Sequence, residues 1–285
     1  MPPIVHKNIA IYVFSSGKYE PQGWLFGHGS IRRFAKDQKP LVRAYDLDSG
    51  DEVWTTDFSE YGFGGDDAGA CLMDGKLYYS CFLGYSPRKE EGSSIAKGIT
   101  AALDPESGKV LWLTDKYAVH SGCTVSGKDG RLYLGGYSRV DAKSNRVWCL
   151  DARDGSLIWK SDPLVRAIHV ITVGQRFLFT HAQYQDSYLI DKNTGKIVST
   201  LSKGYKCTRF TLSEPYLLGS NMDIHDLSDF HDIKLVSSGP RLDPSECIGA
   251  VVSNGRIFYT AHGSGVQVSQ TCELKADSPP APKRR

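Results

Sequence analysis

The sequence predicts an all-β protein, a β-propeller of four-stranded antiparallel blades. Three observations carry that expectation: a phrase written four times, a hairpin signal written six times, and the interval between copies. The phrase is an apolar pair, Asp, three variable residues, Gly and, four residues on, usually Trp. It reads Tyr45-Asp46-Leu47-Asp48-Ser49-Gly50 to Trp54, then Leu103-Asp104-Pro105-Glu106-Ser107-Gly108 to Trp112. It returns as Leu150-Asp151-Ala152-Arg153-Asp154-Gly155 to Trp159, and weakly as Ile190-Asp191-Lys192-Asn193-Thr194-Gly195 to Ser199. The Asp-to-Asp steps are 58, 47 and 40 residues, the interval at which self-similarity signals a propeller or solenoid.

The elements come in order along the chain. A first hairpin is read in Ile4–Val13 and a second in Ala70–Ser80, around Asp74-Gly75. A third runs from Cys123-Thr124-Val125 through Asp129-Gly130 to Gly135. Looser copies lie at Val170–Phe179 and from Phe210 to Leu218, and a sixth at Ala250–Tyr259 around Asn254-Gly255. Asp-Gly or Asn-Gly between β-branched or aromatic runs is a strong hairpin signal, because both central residues of a type I′ turn need positive φ. After a hairpin, Asn145–Asp151 brings in a third strand, Asp151 to Gly155 turn the chain, and Ser156–Trp159 begins the outer strand. Two hairpins in succession make a blade of about 45 residues. Gly takes the left-handed position without a Cβ penalty, Asp accepts hydrogen bonds from turn amides, and Trp is placed to lie between neighbouring blades. Asp46, Gly50, Trp54, Asp104, Gly108, Trp112, Asp151, Gly155, Trp159, Asp191 and Gly195 are therefore read as structural.

Bulk composition narrows the function classes. The chain has 285 residues, 40% hydrophobic and 23% charged, enough to bury a core. A net charge of +2 argues against a nucleic-acid binder, which needs a concentrated basic face. No run of apolar residues is long enough for a transmembrane helix. The N-terminal residues lack the pattern of a signal peptide. Seven cysteines lie far apart, with no Cys-x-x-Cys and no adjacent pair, so no disulfide framework or c-type haem site is implied and the compartment stays open.

The repeat phrase resembles the tryptophan-docking repeat of the PQQ-like, or quinoprotein alcohol dehydrogenase-like, β-propellers, over roughly residues 4–270. The resemblance implies one of two activities: PQQ-dependent oxidation in an eight-bladed ring, or a scaffold for outer-membrane assembly. The quinoproteins carry a vicinal disulfide, a calcium held by Glu, Asn and Asp, and a catalytic Asp. No adjacent cysteines occur here, and no segment allows the calcium ligands to be transferred. The expectation is thus a non-catalytic propeller whose loops bind a protein or other macromolecule, with PQQ and calcium as the cofactors of the alternative. About six blades fit where the family commonly closes eight, so the expectation is either an incomplete ring or a six-bladed ring whose last blade the N-terminal strand completes, and an exported or periplasmic location if a signal lies upstream. Residues 1–272 are assigned to the propeller and 273–285, rich in Pro, Lys and Arg, to a disordered tail.

Two sets of residues could carry chemistry. Aligning the hairpins puts Cys123, His169, Cys207 and Cys247 near the starts of successive inner strands, with His120, Arg166 and Lys206 nearby. Thiol and imidazole ligands there would suit a soft metal or a small ligand; alternatively, the cysteines are small fillers at a crowded axis. The segments from Ser15 to Pro40, with Trp24, Phe26, His28, Arg32 and Arg33, and from Leu83 to Gly98, with Tyr85 and Arg88, exceed what a hairpin needs. Long connections in compact domains are usually functional or disordered, and aromatic-plus-Arg content suits a binding surface. A further His/Asp cluster, Asp223 to Asp232, could hold a divalent ion, yet Asp226 falls where a fifth copy of the phrase would place its Asp.

Overall fold

A computed structural model describes residues 3–16, 39–62, 68–83, 97–117, 119, 125–136, 145–165, 168–182, 186–201, 210–219, 223–237, 251–253, 256–263 and 266–273. Each of the six expected hairpins is present, and each opens a sheet. The first sheet is β1 (Ile4–His6), β2 (Ile9–Ser16), β3 (Lys39–Asp46) and β4 (Glu52–Asp57). The second is β5 (Gly69–Met73), β6 (Lys76–Leu83), β7 (Lys97–Leu103) and β8 (Val110–Thr114). The third is β9 (Ser126–Lys128), β10 (Arg131–Gly135), β11 (Val147–Asp151) and β12 (Leu157–Lys160). The fourth is β13 (Ile168–Val173), β14 (Phe177–Ala182), β15 (Ser187–Asp191) and β16 (Ile197–Leu201). The fifth is β17 (Phe210–Ser213), β18 (Tyr216–Gly219), β19 (Ile224–Asp226) and β20 (Lys234–Ser237). The sixth has β21 (Val251–Ser253), β22 (Arg256–Gly263) and β23 (Val266–Glu273).

Strands pair antiparallel in sequence order within every sheet. Five sheets are therefore complete four-stranded blades, and three strands of the sixth are described. The one helical turn among the described residues is a 3-10 turn at Ser59–Tyr61. The tight hairpins obey the expected turn chemistry, with Asp74 at φ 51° and Asp129 at φ 53°, each followed by a Gly near +70°.

The chain divides into two compact units, Met1–Gly204 and Tyr205–Arg285. In the first, the opening strands of successive blades lie side by side: β1 by β5, β5 by β9, β9 by β13. Crowding there accounts for Gly127 in β9, where a Cβ would stand 3.1 Å from Cys71 Sγ and 3.3 Å from Met73 Sδ. Ser126 Oγ donates to the Ile171 carbonyl across the next junction at 3.0 Å. In the second unit β17 lies beside β21.

Each junction between blades of the first unit is a separate apolar core. Ile11, Val42, Ala44 and Trp54 of the first blade meet Leu77, Tyr79, Cys81, Ile99 and Ala101 of the second. Tyr78, on the opposite face of β6, packs with Leu132, Leu134 and Leu150 of the third. Tyr133, on the other face of β10, joins Trp159, Ile171, Leu178 and Ile190 at the third junction. Alternation of side chains along a strand sends neighbours to opposite faces. These middle strands are buried on both faces, so they are mostly apolar, with Ser80, Thr180 and His181 among the buried polar exceptions. One end of each of the first four blades carries the repeat turn joining its third and fourth strands. The connections from β2 to β3 and from β6 to β7 leave the other end.

Candidate functional site

The repeat phrase folds into the same device in each of its four copies. The Asp amide donates to the carbonyl five residues on, from Asp46 N–H to the Asp51 carbonyl at 2.9 Å through Asp191 N–H to the Lys196 carbonyl at 2.9 Å. The Gly amide returns to the Asp carbonyl at 2.8–2.9 Å in all four. Asp46 Oδ1 accepts from the amides of Asp48 and Ser49, both at 2.9 Å. Asp104 accepts from Glu106 and Ser107, and Asp191 from Asn193 and Thr194. Gly50, Gly108, Gly155 and Gly195 sit at φ 70–78°, a conformation that L side chains avoid. A register shift falls just before the Asp in each of the five four-stranded blades, as between Ala102 and Leu103, a bulge that re-aims the chain into the turn.

The Trp residues then join one blade to the next. Trp54 Nε1 donates to the Pro105 carbonyl, Trp112 to that of Ala152 and Trp159 to that of Lys192, each at 3.1 Å. In each case the acceptor comes immediately after the Asp of the next phrase. The ring covers the Gly of that phrase: a Cβ on Gly108 would stand 2.5 Å from Trp54, on Gly155 2.8 Å from Trp112, and on Gly195 2.4 Å from Trp159. Trp54 and Trp159 are only 8% and 9% exposed, whereas Trp112 is half-buried. The residue after the Asp also binds its own hairpin, as in Ala152 N–H to the Gly130 carbonyl at 3.0 Å and Lys192 N–H to that of Arg176 at 3.0 Å. Pro105 has no amide hydrogen and keeps only the acceptor role.

Charge pairs add to two of these junctions. Lys7, in the first hairpin turn, pairs with Glu106 of the next blade. Asp129 Oδ2, in the third hairpin turn, receives Lys192 Nζ at 2.6 Å, and the Lys192 side chain is 8% exposed. The signs are reversed between the two junctions. Nothing local in the sequence announces either pair, since the partners stand 99 and 63 residues apart.

Electrostatics derive from this geometry. The Arg153 guanidinium, then its backbone amide, holds the Asp151 carboxyl down to about 2. The Ser49 and Asp48 amides lower Asp46, and the Ser107 hydroxyl and amide lower Asp104. Burial pushes the thiols of Cys71, Cys81 and Cys149 up to about 12, which keeps them as unreactive thiols at neutral pH. In the Asp223–Asp232 cluster, Asp226 Oδ1 accepts from the Ser228 amide at 2.8 Å and Asp229 Oδ1 from the His231 amide at 3.0 Å. These are turn contacts, in accord with a degenerate fifth phrase. Among the described residues no group of three His, Cys, Asp or Glu side chains could hold a metal.

Of the cysteine–histidine set, His169 is the second residue of β13. His120, Cys123, Arg166, Lys206, Cys207 and Cys247 lie outside the described residues, as do Trp24, Phe26, His28, Arg32, Arg33, Tyr85 and Arg88. Among the described residues no helix is long and apolar enough to cross a membrane, which leaves strands unaddressed.

Residues 96–212 match the family described as outer membrane protein assembly factor BamB. Among solved structures, the crystal structure of BamB from Moraxella catarrhalis is similar at 14% identity and a TM-score of 0.45, over 79% of this chain and 78% of that one. No curated protein matches. The matched segment spans the second, third and fourth phrases whole, and it is there that the chain is similar to the PQQ-like propeller repeats.

Proposed function

We propose that this protein is a non-catalytic scaffold that binds a protein partner through the connections between the second and third strands of its blades. The observation that carries the reading is the full engagement of the repeat. Every Asp, Gly and Trp of the first three phrases is taken up in making a turn or joining it to a neighbour. A fold by itself implies no activity, and the repeat end offers a rigid frame rather than a reactive group. The description of the matched family names an assembly factor and no reaction, which supports the same reading.

The contact residues of this reading are Trp24, Phe26, His28, Arg32 and Arg33 in one connection and Tyr85 and Arg88 in another. Aromatic and Arg side chains dominate the energetics of protein interfaces. Photo-crosslinkers placed singly at Trp24, Phe26, Arg32 and Tyr85 in cells test it, with Asp154 in a repeat turn as the control. Discrete protein adducts from the four connection sites and none from Asp154 are expected. Adducts from Asp154 alone, or from no site, would overturn the assignment. Titration of the purified chain with PQQ and calcium supplies the opposing test. Saturable one-to-one binding with dye-linked alcohol oxidation would make the protein a quinoprotein instead, and stoichiometric metal in an unchelated preparation would make it a metal-binding propeller with His120, Cys123, Arg166, His169, Lys206, Cys207 and Cys247 as its site.

A further inference from the structure

We draw no further inference here: the strongest candidate, the exposed apolar pairs Val110–Leu111 and Leu157–Ile158 on the outer edge strands of the second and third blades, is a surface patch for which nothing in the structure shows what covers it.

Discussion

The first three repeats and the fourth share a turn but differ at the position four residues beyond its glycine. Asp191 and Gly195 close their turn with the same hydrogen bonds as Asp151 and Gly155. Where the earlier copies place Trp54, Trp112 and Trp159, the fourth has Ser199. The first compact unit ends at Gly204, within a few residues of that position. Turn formation therefore does not need the indole: Asp and Gly close the turn in all four copies, and in the first three the ring adds a contact with the next blade. The fifth blade has lost more: its turn after Asp226 is longer, and Ser237 stands opposite Ile224 where Trp159 stands opposite Cys149.

The comparison predicts unequal costs of substitution. Trp54→Ala and Trp159→Ala remove buried rings and should each destabilise by about 3–5 kcal/mol in urea unfolding. Trp112→Ala, at a partly buried ring, should cost less than either, and Ser199→Ala about 0.5 kcal/mol or less. Equal effects at Ser199 and Trp159 would break the distinction.

Glycines sharpen it further. Gly50 and Gly195 share a positive φ, +78° and +73°, but a Cβ on Gly50 meets nothing within 4 Å. Gly50→Ala should therefore cost only the left-handed strain, about 1–2 kcal/mol. Gly195→Ala should add about 1–3 kcal/mol of overpacking against Trp159. Matching thermal shifts for the two variants would remove the ring from the account.

The turn carboxylates give a pH signature. A lowered folded-state pKa contributes stability above the unfolded value and loses it as pH falls through the folded one. For Asp151 the ordinary value is 3.8 and the folded value about 2, so its contribution should fade from about pH 4 to pH 2. Arg153→Ala should shift that loss toward higher pH, read from unfolding midpoints across the range; an unchanged profile would assign the acid sensitivity elsewhere. The smallest expected effect is at the thiols. Cys81 and Cys149 are fully buried and raised to about 12, so iodoacetamide at neutral pH should leave both unlabelled until urea is added, as read by peptide mass mapping.

Sequence reading reached the blades because their signals are local. Asp74-Gly75 and Asp129-Gly130 state a turn within two residues, and Asp104 to Trp112 states a whole strand–turn–strand unit. The bulge before each Asp escaped, because a register shift depends on the partner strand, as with Trp159 opposite Cys149 but Leu157 opposite Leu150. The acceptors of the indole N–H escaped for a different reason. Pro105, Ala152 and Lys192 have nothing in common but a backbone carbonyl, which any residue supplies. Lys7–Glu106 and Asp129–Lys192 join distant turns, so only the assembled blades bring them together. The binding residues rest on aromatic and Arg content alone, which suggests a surface without fixing its geometry.

A double-mutant cycle between Trp159 and Gly195 tests most directly whether the ring of one repeat is seated on the turn of the next. The four proteins are the parent, Trp159→Ala, Gly195→Ala and the double variant, compared by urea unfolding. With the ring gone, an alanine at Gly195 has room and should cost only what Gly50→Ala costs. The two changes should then be non-additive by about 1–3 kcal/mol, the range for residues in contact. Strict additivity would contradict the docking of Trp159 on the next blade's turn.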